Sequence, residues 1–153
     1  MARYIVDSQI DNHEKYYFIR EQESQDIVLL PSKYLMHKKR SKLSPNTIRR
    51  SAGAISYYLN YIDETGIQLD DVWEMPYDKQ QEHFTDYLIW LQAGLHSGDN
   101  NKQPCNETCN AYLKEVFRFY RYAGQQGEAI KQLKVLSDMR ITVNNSVGVK
   151  RTL

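Results

Sequence analysis

The segment from Ser44 to Gly66 constrains the fold more than any other. Ser44 is a good N-cap, and Pro45 stands at the first helical position, where its missing N–H costs nothing. Behind them Ile48, Ala52, Ile55, Leu59 and Ile62 recur at steps of four, three, four and three residues. That period is one apolar stripe of an α-helix, and Gly66 supplies the stop. Arg49, Arg50, Gly53, Ser56 and Asn60 lie largely off the stripe. Gly53 in mid-helix costs ~1 kcal/mol relative to Ala. It hints at the close approach of another backbone, with tight helix–helix packing as the plainer alternative.

Other helices follow the same signals. A short one is expected from a Ser32 cap, with Pro31 just before it, through Tyr34-Leu35-Met36 to about Lys39. Another runs from about Asp78 to Gln92, with Phe84, Tyr87, Leu88 and Leu91 inward, Trp90 at the edge, and Gly94 as the end. Residues 95–103 are polar and form a long loop. A further helix starts at a cap near Asn106 and carries Cys109, Leu113, Val116, Tyr120 and Ala123 on its apolar stripe, with Gly124 as the stop. A last short helix is expected over Gln126 to Leu136. Strands are read at Tyr4–Val6, Tyr16–Ile19 and Ile27–Leu30, the first two joined by a turn at Asp11-Asn12-His13, and again at Met139–Val143. The expected fold is therefore mainly α, a four- to five-helix bundle with short strands at the N-terminus and near the C-terminus. It divides into a strand segment at 1–31, a helical domain at 32–137, and a strand with a linker at 138–153.

A chain of 153 residues with 41% hydrophobic and 25% charged residues is one ordinary folded domain. No apolar run approaches the ~18 residues of a membrane span, and no secretory h-region follows Met1-Ala2-Arg3-Tyr4. Cys105 and Cys109 cannot make a disulfide framework, so a reduced, cytoplasmic setting is expected. The net charge of +1 is uninformative, but its distribution is not. From Ser32 to Ile62 there are seven Lys or Arg and no acid; from Asp63 to Asp86 there are eight acids and one base.

Most site chemistry fails on this chain. No Gly-rich phosphate loop is present. His13, His37, His83 and His96 are scattered, Asp78 and Glu82 belong to a solvated acidic face, and Cys109 reads as buried beside a loop Cys105. No metal, cofactor or catalytic residue is expected. A polyanion fares better. Lys114, Arg118 and Arg121 repeat at one-turn spacing, and Lys38, Lys39, Arg40 and Lys42 place charge just before the capped helix. That helix start adds free N–H groups and a positive dipole end. Two such helices meeting in one groove would clamp duplex DNA. Among the tyrosines, Tyr58 and Tyr120 read as core, and Tyr57, Tyr61 and Tyr112 as candidates for a partner surface.

Two blocks then resemble a known family. Ser44-Pro45-Asn46-Thr47-Ile48 with Ile55, Tyr58-Leu59, Ile62 and Gly66 is similar to the first long helix of the core-binding domain of tyrosine recombinases (phage-type integrases). Thr108-Cys109-Asn110, Leu113, Val116-Phe117, Phe119-Tyr120 and Tyr122 are similar to the helix that closes that domain. The upstream Pro31-Ser32, Tyr34-Leu35 also fits, and the likeness covers about residues 31–124. Ser51 stands where the first helix commonly carries an aromatic residue. The resemblance implies a SAM-like orthogonal helical bundle that clamps one side of duplex DNA, as part of DNA integration and recombination. The basic residues, Lys38, Lys39, Arg40, Lys42, Arg49, Arg50, Lys114, Arg118 and Arg121, would hold phosphates. Thr47 and Asn110, with Lys114, would reach base edges.

The family's catalytic Arg, Lys, His-x-x-Arg and Tyr lie on a second domain. His37-Lys38-Lys39-Arg40 has the four-letter shape in the wrong place and is read as coincidence. Lys150-Arg151-Thr152-Leu153 is like the linker into that domain. The expectation is an N-terminal recombinase fragment that is not an enzyme by itself. It would be monomeric alone and meet parent protomers in a synaptic complex. The competing expectation is a helical protein-interaction or regulatory module using the acidic 63–86 segment. A stand-alone transcription regulator would need shorter connections than Gly66–Tyr77 and Gly94–Cys105 offer.

Overall fold

The structure, a computed structural model, describes residues 3–97, 103–127, 129–135, 140–143 and 149–152. It is mainly helical. A β-hairpin, β1 (Tyr4–Asp11) and β2 (Glu14–Glu21), leads into α1 (Leu29–Arg40), α2 (Pro45–Thr65), a one-turn α3 (Asp71–Glu74), α4 (Tyr77–Gln92) and α5 (Asn106–Gly124). A second hairpin, β3 (Arg140–Val143) and β4 (Val149–Thr152), lies beside α4 and α5.

The first hairpin turns where the sequence places it. Asn12 and His13 both take positive φ, 50° and 67°, as a two-residue hairpin turn of matching twist requires. The strand expected at Ile27–Leu30 shrinks to a single bridge between Ile27 and Arg20, because α1 already begins at Leu29. Pro31 sits inside that first turn, where an N–H has no helical acceptor anyway. Ser32 is therefore not a cap. It clasps β2 instead, its Oγ accepting from the Ile19 N–H at 3.1 Å.

Helix α2 follows its signals closely. Ser44 Oγ accepts from the Thr47 N–H at 3.2 Å, and Gly66 ends the helix in the left-handed region at φ 74°. The Ile67 N–H then closes onto the Ile62 carbonyl, which completes a Schellman stop. All five stripe residues are buried. The off-stripe polar pair has its own task. Ser56 Oγ donates to the Tyr4 carbonyl, and the Asn60 side chain accepts from the Arg3 and Tyr4 N–H groups, so α2 holds the hairpin by its polar flank.

The core is one aromatic-rich cluster in which Tyr58, Phe84, Tyr87, Phe119 and Tyr120 are fully enclosed. Their polar ends are matched within the core. Tyr58 Oη lies 2.7 Å from Tyr120 Oη and 2.8 Å from His83 Nε2, and Tyr120 Oη donates to the Leu69 carbonyl. Tyr61 is corrected from partner surface to core: it is 6% exposed, against the rings of Tyr87 and Trp90. Trp90 is itself buried, and its indole N–H donates to Glu64.

After α5 the expected helix over Gln126–Leu136 is replaced, at residues 129–133, by chain without regular structure. Leu133 and Val135 are both buried against the core, with Lys134 in a turn between them. Gln80 fixes them from α4: its Oε1 accepts from the Lys134 and Val135 N–H groups while its Nε2 donates to the Val72 carbonyl. Gly124 is the last residue of α5, where the sequence places the end of that helix. Lys150–Thr152, expected as linker, belong to β4 and pair with β3. Of the loop expected at 95–103, residues 98–102 lie outside the described residues.

Candidate nucleic-acid interface

Helices α1, α2 and α5 pack together and leave two grooves between them, and a third separates α2 from the first hairpin. Thr47, Arg50, Ser51, Glu107, Glu115 and Arg118 line the α2–α5 groove. Arg40, Arg118 and Arg121, with Tyr122, line the α1–α5 groove. Arg49, Arg50, Gly53, Tyr57 and Tyr112 line the one beside the hairpin. Arg118 is common to the first and second grooves, and Arg50 to the first and third. The three therefore join into one arginine-lined path across the bundle.

Of the residues expected to meet DNA, the fold brings Thr47, Arg49, Arg50, Arg118, Arg121, Arg40 and Lys38 onto this path. Lys42 is exposed at the turn after α1, at φ 64°. Asn110 and Lys114 stand on α5 but line none of the three grooves. Lys39 is mostly covered, over the Tyr16 ring and 3.9 Å from Glu14.

Lys38, on the wall of the α1–α5 groove, is engaged in an ion pair within the bundle. Its Nζ lies 3.0 Å from Glu115 Oε1, and the two side chains are only 12% and 8% exposed. Tyr34 Oη donates to the same oxygen at 2.9 Å, and Arg118 reaches Glu115 Oε2 at 3.2 Å. Burial alone would raise the Glu115 carboxyl, but hydrogen bonds from Lys38, Ser51 and Tyr34 and the Lys38 charge outweigh it and hold it below its ordinary range. Glu115 thus sits at the floor of the α2–α5 groove, ties α5 to α1, and fixes one end of the Arg118 guanidinium. Ser51, small where the family resemblance leads one to expect an aromatic, leaves room for that carboxylate.

Gly53 is not explained by packing. A Cβ built on it meets nothing within 4 Å. Tyr57 and Tyr112 stand beside it edge to face, with ring centroids 5.4 Å apart.

The carboxylates of 63–86 lie elsewhere, on the end of α2, α3 and α4. Asp63 pairs with Arg3, Asp71 Oδ2 accepts from the Gln68 N–H, and Glu82 pairs with Lys79, while Asp70, Glu74, Asp78 and Asp86 are exposed. Among the described residues no group of three or more His, Cys, Asp or Glu is placed to hold a metal ion, and no helix is long and apolar enough to cross a membrane. Cys109 is buried and Cys105 is exposed at the start of α5. No family model, no curated protein and no solved structure matches this chain.

Proposed function

We propose that this chain is a duplex-DNA-binding module, acting as the N-terminal clamp of a site-specific tyrosine recombinase. The observation that carries the DNA reading is the sharing of Arg50 and Arg118 between neighbouring grooves, which gives one arginine-lined path over α1, α2 and α5. Such a path matches the spaced phosphates of a duplex, and arginine suits them because its planar fork takes two oxygens at once. Arg40, Arg49, Arg50, Arg118 and Arg121 hold phosphates. Thr47, at the mouth of the α2–α5 groove, is the nearest candidate for a base edge, with Asn110 and Lys114 flanking on α5. The recombinase assignment rests on the two sequence blocks that open α2 and fill α5. Its partners in a synaptic complex are protomers of the parent protein, and the isolated module is monomeric.

The test is fluorescence anisotropy on a random duplex over a salt series, for the wild type and an Arg50→Ala, Arg118→Ala, Arg121→Ala variant. A clamp making about five or six phosphate contacts gives a log–log salt slope near −5, and the variant loses about 3 of it. Absence of salt-dependent binding by the wild type overturns the reading. It would turn attention to the exposed carboxylates of α3 and α4 as a protein-binding face.

A further inference from the structure

We infer that the groove between β1–β2 and α2 seats a stretch of sugar–phosphate backbone pressed directly against α2 at Gly53. This rests on the duplex-DNA reading and adds a second strand-binding groove to it, formed by the hairpin. Glycine in the interior of a long helix is a standing cost, because its backbone loses more freedom than any other residue's. Such a cost is usually offset by close packing, yet beyond Gly53's own neighbours and the backbone of its helix no described atom comes within 4 Å of the site a Cβ would occupy. The space over Gly53 is open, and its walls are suited to one kind of occupant.

Arg49 and Arg50 stand one turn before Gly53 on the same groove, and Tyr57 stands one turn after it. Tyr17 reaches across from β2, and Lys15 Nζ lies over its ring, 5.5 Å from the centroid. The one carboxylate in the lining, Asp7, is already engaged: Arg20 Nε donates to its Oδ2 and the Ser8 N–H to its Oδ1. The groove is therefore cationic at one end, aromatic at the other, and bare in the middle. A phosphodiester with its sugar meets all three features. The phosphate takes the two guanidinium groups, the sugar lies against the tyrosines, and the missing side chain lets the strand reach the helix surface. The hairpin wall is firm, since Ser56 and Asn60 of α2 hold Tyr4.

The experiment uses Gly53→Ala and Gly53→Leu on the same random duplex, with thermal unfolding recorded for each. Gly53→Ala stabilises the protein, because Ala is the better helix former and the added methyl enters open space. Yet it binds DNA more weakly, and Gly53→Leu more weakly still, with a salt slope shallower by about one for each phosphate no longer held. Higher stability with lower affinity cannot come from misfolding. If the wild type binds with a steep salt slope and both variants match it in affinity and slope, the groove at Gly53 is overturned and the duplex reading stands. If the wild type shows no salt-dependent binding, the duplex reading falls and this inference falls with it.

Discussion

Lys38 on α1 and Glu115 on α5 meet at 3.0 Å in a pocket that also receives Tyr34 and Arg118. Their side chains are nearly enclosed, so each charge depends on the other. Truncating Glu115 to Ala leaves the Lys38 ammonium buried and unpaired, and costs about 3–5 kcal/mol. The reverse change, Lys38→Met, costs less, because Tyr34 and Arg118 still serve the carboxylate. Urea unfolding of the two variants reads the difference directly. The cluster also has a pH signature. The folded-state carboxyl titrates below its ordinary value of 4.5, so its contribution is intact above that pH and is lost as the pH falls through the folded value.

His83 sets a separate acid limit. Burial lowers its imidazole from 6.5 to about 4, its Nε2 is taken by Tyr58, and Nδ1 has no partner among the described atoms. A second ring proton would face no acceptor. The unfolded chain takes up that proton first, so stability falls as the pH drops from 6.5 towards 4 and levels off below. The gap amounts to about 3 kcal/mol at most. His83→Gln removes its share of this slope between pH 6.5 and 4.5, a window in which Glu115 does not yet titrate; the slope that remains there is that of His96, whose imidazole burial also lowers. A wild type whose unfolding free energy is flat over that window would refute the assignment.

The elements that can be read from the sequence are those whose signals are local. Ser44, Pro45 and Gly66 define both ends of α2 through bonds within a few residues, and the five-residue stripe defines its buried face. Ser32 misleads because a serine before an apolar run suits either a cap or a tertiary clasp, and only the position of β2 decides between them. The segment after α5 misleads for the same reason: Leu133 and Val135 are apolar and buried, but what seats them on the core is Gln80, more than fifty residues away. At the interface, the arginines are visible as charge. The selection among Lys38, Lys39 and the arginines is not, because it depends on Glu115 and Glu14, whose partners lie on other elements. A carboxylate flanked by Lys114 and Arg118 at steps of one and three is the available signal for Glu115.

The cap of α2 carries a measurable share of its stability. Ser44→Ala removes the acceptor of the Thr47 N–H and costs about 1 kcal/mol. Ser44→Asp keeps the acceptor and adds a charge that favours the helix dipole, so it holds stability near that of the wild type. The same Asp weakens DNA binding, since Thr47 and Arg50 line the groove one turn away. Paired urea and anisotropy measurements on the two variants separate the cap from the charge.

Gly124 is required by a close approach and not by its backbone angle. The chain returns over the end of α5 so that the Lys131 N–H donates to the Gly124 carbonyl at 2.9 Å, and a Cβ on Gly124 would stand 2.1 Å from the Lys131 carbonyl oxygen. The Trp73 ring closes the other side at 3.0 Å, so the methyl has no direction in which to relax. Gly124→Ala must therefore push residues 129–135 off the core. That withdraws Leu133 and Val135 from burial and breaks the bonds from Gln80 to the Lys134 and Val135 N–H groups. Overpacking of this kind costs about 1–3 kcal/mol, and the reduced burial adds to it. Hydrogen exchange locates the effect: the Lys131, Lys134 and Val135 amides lose protection, while the amides of α2, including those that follow Gly53, keep theirs. An exchange pattern that weakens evenly across the bundle would instead mean that the segment is an integral part of the core and unfolds only with it.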